Sequence, residues 1–154
     1  MVKYHQYMVD AEQALDRVLE LAVLMNDDMT RTLAKDGLTV SRAHLLWVLR
    51  QRGPCTQSVL AEQLGVSARN VTGLVDGLVA TGFVTREPHP TDRRATHVSF
   101  TERGATTTAV MESDHRELAH TLFADMATGE LDHFTRSLGD VLARLRTRLD
   151  AEDE

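Results

Sequence analysis

The sequence predicts a mainly α fold with one small β-hairpin, and three observations lead there. Apolar residues recur at three-four spacing through both ends of the 154-residue chain, the periodicity of amphipathic helices. In the middle, two short helical segments meet at a glycine turn. Directly after them come two short runs of strand character, separated by a tip that contains two prolines. With 42% apolar residues the chain can bury a real core, and one domain over residues 1–154 is expected at this length.

The first helix is expected from about Asp10 to Lys35, where Leu15, Val18, Ala22, Met25 and Met29 form one stripe. Asp36-Gly37 breaks it. Ser41 is a good N-cap for a second helix carrying Leu45, Leu46 and Leu49, which Gly53-Pro54 stops. Thr56 is expected to cap a short third helix through Leu64, and Ser67 a fourth that ends at Thr81-Gly82. Two helices that cross steeply over so short a turn need a small residue at the contact and a residue tolerant of positive φ in the turn. Ala61 and Gly65 meet those needs, and Leu60, Leu64, Val66, Val71 and Leu74 fall on the shared buried face. The pair reads as a helix-turn-helix, although such a pair can also be a plain packing unit.

The residues after the pair narrow the choice. Phe83 to Arg86 is expected as a strand, Pro88 to Asp92 as a turn-rich tip, and Ala95 to Phe100 as the returning strand with Val98 and Phe100 on one face. A helix-turn-helix followed by a hairpin is a winged helix, placed at about residues 41–100. Thr101 then caps a helix to about Met126. Thr128 caps a last one, with a stripe of Leu131, Phe134, Leu138, Val141 or Leu142, Leu145 and Leu149. The terminal helices, about 1–35 and 105–150, carry more apolar surface than a small lobe needs, so they are expected to form a dimerisation lobe against a second copy. An intramolecular helical lobe is the alternative.

Charge and composition bound the function. The net charge of −6 looks wrong for a nucleic-acid binder, because phosphate attraction dominates such binding. Between Ser41 and Phe100, however, seven basic residues (Arg42, Arg50, Arg52, Arg69, Arg86, Arg93, Arg94) face four acidic ones (Glu62, Asp76, Glu87, Asp92). The local charge is +3 and the ends carry −9, which suggests that the middle meets an anion. A single cysteine, Cys55, closes no intramolecular disulfide, and seven scattered histidines show no zinc spacing, so neither metal nor cofactor is expected. No apolar run approaches the roughly 20 residues that cross a bilayer, and a reducing cytoplasm is the expected location. Nucleophile–base pairs and phosphate-cradling glycine loops are missing as well, so an enzyme is not expected.

Leu60 to Ser67, Val71 to Leu78, Gly82-Phe83-Val84, and Asp92-Arg93-Arg94 followed by Phe100-Thr101 and Gly104 together resemble the MarR family of bacterial transcription regulators. The resemblance runs over nearly the whole chain, and the wing pattern is its most specific part. Phe100 stands where leucine is usual. Gly73 and Gly77 stand where the family often carries arginine or another long side chain, and each weakens the helix by about 1 kcal/mol relative to alanine.

The resemblance implies double-stranded DNA as partner, with the fourth helix in the major groove and the wing in the adjacent minor groove. Arg69 would then read guanine and Asn70 adenine, while Thr56, Ser67 and Thr72 suit phosphate oxygens. For Ser67 the N-cap role is already sufficient. Arg93 and Arg94 would reach the narrow groove, and Asp92 would orient Arg94 by a charge-assisted hydrogen bond, with a buried structural ion pair as the rival account. The expected activity is a ligand-responsive repressor bound to a pseudo-palindromic operator as a homodimer; the alternative is a winged-helix module that binds protein instead. A small aromatic or phenolic effector is the ligand the family implies, and His44, Trp47 and His115 are the candidate pocket residues. Redox sensing through Cys55 is not expected, since only Arg52 lies near it in sequence.

Overall fold

A computed structural model describes residues 10–92 and 94–152. The chain divides after Thr108 into two compact units. The first contains helix α1 (Ala11–Ala34), α2 (Val40–Arg52), strand β1 (Cys55–Thr56), α3 (Gln57–Leu64), α4 (Ala68–Ala80), β2 (Val84–Pro88), β3 (Thr96–Phe100) and the start of α5 (Glu102–Phe123). The rest of α5 and α6 (Thr128–Glu152) form the second.

Caps set most of these boundaries. The Asp10 carboxylate accepts the Gln13 amide at 2.8 Å and opens α1. Helix α2 starts earlier than expected, because Thr39 and not Ser41 is its cap: the Thr39 hydroxyl accepts the Arg42 amide at 3.3 Å, which puts Ser41 inside the first turn. The α3 and α4 caps are the expected ones, with Thr56 Oγ1 accepting from Val59 and Ser67 Oγ from Asn70. Between the two helices Gly65 adopts the left-handed conformation, φ 64°, and the Val66 amide returns to the Ala61 carbonyl at 3.1 Å. Thr128 is helical and does not cap α6. Ala127 holds that place, its amide donating to the Glu130 carboxylate at 3.3 Å.

The hairpin pairs Val84 with Phe100 and Pro88 with Thr96, so β2 runs two residues beyond its expected end. The sheet has a third strand that the sequence pattern did not reveal. Cys55 and Thr56 pair antiparallel with Val98 and His97, giving the order β1-β3-β2. This sheet closes one side of a core in which Leu45, Leu46 and Leu49 of α2 meet Leu60, Val71, Val75 and Leu78, with Phe83, Val84 and Val98 beneath. Each of these side chains is almost fully buried, worth about 2 kcal/mol apiece relative to exposure. In the second unit, the Phe123 and Phe134 rings lie 5.9 Å apart across the α5–α6 turn.

Among the described residues, Leu33 is the one buried residue of α1, and α6 has none. Leu15, Leu19, Val23 and Leu24 of α1 and Val141, Leu142, Leu145 and Leu149 of α6 are all exposed in the single chain. No helix among the described residues is long and apolar enough to cross a membrane.

Candidate nucleic-acid interface

The buried face of α4 is set by Val71, Val75 and Leu78, so the opposite face is the one left for a partner. It carries Arg69, Asn70, Gly73 and Asp76, all exposed. Nothing lies within 4 Å of the place a Gly73 side chain would occupy, so the backbone is bare at the middle of this face.

Asp76 is the one carboxylate on α4, and an uncompensated carboxylate there would repel phosphate. Arg86 of β2 removes the difficulty, donating to Asp76 Oδ1 at 2.5 Å and to Gln57 Oε1 at 2.9 Å. Gln57 in turn donates to Thr72 Oγ1 at 3.1 Å, and the Thr72 hydroxyl donates to the Ala68 carbonyl at 2.8 Å. One arginine thus links the wing strand to both helices of the pair and neutralises the outer face of α4. Sequence reasoning missed Gln57, Asp76 and Arg86 as a group. The sole trace was a pair of opposite charges ten residues apart, meaningless until β2 returns alongside α4.

The two threonines expected at phosphate have internal partners. Thr72 is exposed but makes both bonds just given, while Thr56 is half-buried and occupied with its cap. Ser67 is exposed and also caps. Arg69 and Asn70 keep exposed side chains at the start of α4, where a recognition helix lies nearest the bases.

At the wing tip, His89 Nδ1 accepts the amides of Thr91 at 3.2 Å and Asp92 at 3.1 Å, and the His89 ring meets His97 edge-on with centroids 4.4 Å apart. The Ala95 amide closes on the Asp92 carbonyl at 3.1 Å. Asp92 does accept the expected hydrogen bond from Arg94, but from its backbone and not from its guanidinium. Its carboxylate takes the Arg94 backbone amide at 2.9 Å, since a side chain two residues upstream reaches the amide of a tight turn more readily than a long side chain leading outward. Both residues are exposed, which also removes the buried ion pair as an account of them. Arg93 lies outside the described residues.

The wing is anchored at its base. Thr101 Oγ1 donates to the Gly82 carbonyl at 2.6 Å and accepts the Gly104 amide at 3.1 Å. Arg103 donates to the Thr81 carbonyl at 2.6 Å, with its guanidinium 4.3 Å above the centre of the Phe83 ring. Gly104 is buried against Phe83, with no room for a side chain.

The candidate effector residues are distributed over the two units. His44 and Trp47 lie a turn apart on α2, and His44 lines a shallow hollow with Ser41, Leu64, Val66, Asn70 and Leu74. His115 is exposed on α5 beyond Thr108. Cys55 is half-buried in β1, and burial pushes its thiol up against the smaller opposing effect of Arg52, so the reactive thiolate is made scarcer.

Comparison with known proteins agrees with this geometry. The family model described as MarR family matches residues 38–96, which spans α2 to the start of β3. The repressor YetL of Bacillus subtilis (strain 168), a helix-turn-helix-type transcriptional repressor, is 27% identical over 130 residues, 83% of this chain and 78% of that one. The helix-turn-helix-type transcriptional regulator ML2140 of Mycobacterium leprae (strain TN) is 32% identical over 102 residues, 64% of this chain and 69% of its own. Among solved structures, Streptococcus pneumoniae FabT in complex with DNA superposes with a TM-score of 0.82 at 17% identity, over 90% of this chain and 99% of that one.

Proposed function

The chain belongs to the MarR family of helix-turn-helix transcription regulators, and from that premise we propose that it is a repressor which binds a pseudo-palindromic operator as a homodimer. The observation that carries this reading is the outer face of α4: Arg69 and Asn70 stand exposed at its start while its only carboxylate is neutralised by Arg86. FabT, which shares the fold, was solved on DNA, and YetL is a repressor. The exposed stripes of α1 and α6 supply apolar surface for a second copy. Two-fold symmetry then sets the α4 helices about one DNA turn apart, roughly 10 base pairs. A small aromatic or phenolic compound is the effector proposed to release the DNA, with His44, Trp47 and His115 as the residues to test. The cytoplasm is the proposed location.

Selection of bound sequences from a random DNA pool tests the reading directly. Two inverted half-sites at that spacing are the expected outcome, and binding that is absent or indifferent to salt would favour a protein-interaction module instead.

Two substitutions then separate base reading from backbone anchoring. Arg69→Ala is expected to cost about 1–3 kcal/mol and to relax preference at one position of each half-site. Equal losses on cognate and scrambled DNA, measured by titration, would remove Arg69 from the specificity set. Arg94→Ala is expected to weaken operator binding about tenfold or more, with a shallower salt dependence, because a charge-assisted contact is lost from each protomer. Its melting curve should match that of the parent chain, since the exposed Arg94 side chain supports no core. Unchanged affinity would refute the wing contact.

A further inference from the structure

Gly77 is an unusual choice for the interior of α4, where glycine weakens a helix relative to alanine. No turn or left-handed backbone requires it, since it is not among the positive-φ glycines. What distinguishes it is the side chain that lies over it. A methyl group at Gly77 would overlap the guanidinium of Arg42, whose Cζ would lie 2.6 Å away and Nε 2.8 Å away. Gly73, one turn earlier, has open space around it, so of the two α4 glycines only Gly77 has a side chain lying over it.

Arg42 comes from the first turn of α2, where its amide completes the Thr39 cap. That turn runs beside the start of α4, for Ser41 and His44 share a hollow with Asn70 and Leu74. Asn70 and Gly77 are seven residues apart and therefore lie along the same edge of α4. The guanidinium is thus laid along the edge that begins at Asn70. Among the described residues no carboxylate forms an ion pair with it, and Asp76 is taken by Arg86. A half-buried cation resting on bare helix backbone, with its charge unspent, has the planar fork that suits a phosphate diester.

We propose that Arg42 is a DNA-contacting residue, which delivers a guanidinium from α2 across Gly77 to a backbone phosphate at the rim of the groove that α4 enters. Glycine at 77 keeps that path open. The proposal rests on α4 being the recognition helix, and the test is arranged so that the two readings fail separately.

Operator binding is titrated at several salt concentrations for the parent chain, Arg42→Ala, Arg42→Gln, Gly77→Ala and the Arg42→Ala/Gly77→Ala pair, each beside a melting curve. Arg42→Ala is expected to lose about tenfold in affinity on cognate and scrambled DNA alike, with the salt slope reduced by about 1 for each contact removed. Gly77→Ala should also weaken binding, because it displaces the guanidinium, yet cost nothing further once Arg42 is absent. Arg42→Gln keeps most of the side-chain stem without the charge, and it decides the matter if the alanine variant melts early. Wild-type affinity and salt slope in Arg42→Gln would overturn the proposal, as would a Gly77→Ala loss of equal size with and without Arg42. A parent chain that binds no DNA would instead overturn the function on which the proposal rests.

Discussion

Gly104→Ala is expected to unfold the first unit at temperatures where the parent chain is intact. The helical backbone at Gly104 is pressed so closely onto Phe83 that an added methyl would overlap the Phe83 carbonyl oxygen and come within 2.9 Å of its carbon. The obstacle is backbone, so no rotamer change relieves it; either α5 or the strand entry must move. Overpacking of this kind costs about 3 kcal/mol or more when backbone must shift, against a total stability on the order of 5–15 kcal/mol. A fall in melting temperature of about 10 °C follows at this chain length. Movement there would also disturb the Thr101 bonds to Gly82 and Gly104 that hold the base of the wing, so DNA affinity should fall with stability. Gly73→Ala is the matched comparison, because its methyl enters open space and should raise stability by up to about 1 kcal/mol. Calorimetry of the two variants side by side checks this, and a Gly104→Ala melting point within about 2 °C of the parent would show that the approach of α5 to Phe83 is loose enough to admit a methyl group.

The second large effect concerns assembly. Leu142 and Leu145 of α6 are 42% and 51% exposed in the single chain, so glutamate at both positions costs an isolated protomer little. In a dimer that buries them, four carboxylates would enter an apolar interface without partners, which association cannot offset. The double variant is expected to sediment at the 17.2 kDa of one chain while its helical circular dichroism is kept. Operator affinity should drop by about a hundredfold or more, because each half-site then binds alone without the effective concentration that linkage provides. A parent chain that remains monomeric at micromolar concentration would remove the dimer from the proposal, and a double variant that stays dimeric would move the interface away from α6.

Much of the fold was legible because its determinants are local. A hydroxyl at Thr56 or Ser67 followed by an apolar run starts a helix through contacts three residues long, and Gly65 supplies a left-handed turn that no distant residue need endorse. The misplaced caps at Ser41 and Thr128 have a local origin too. Thr39, two residues before the expected Ser41, carries an equivalent hydroxyl and does the capping, and at the head of α6 a glutamate downstream did the capping that a hydroxyl was expected to do.

The candidate site divides along the same line. Arg69, Asn70 and Arg94 could be placed from sequence because exposure at the start of a helix or on a hairpin tip follows from the element itself. What the sequence by itself determined was therefore the order of the helices and the hairpin, the helix-turn-helix with its wing, and the exposed cations those elements carry. Only the tertiary structure decided which groups meet: β1 is two residues long and exists as a strand because β3 lies beside it. Arg86 finds Gln57 and Asp76 across 29 and 10 residues, Arg42 covers Gly77, and Gly104 meets the Phe83 carbonyl. Such pairs leave no period or cap in the chain. They arise when the burial of Val71, Val75, Leu78 and Phe83 fixes the distances between helices and sheet, and that burial depends on all the elements at once.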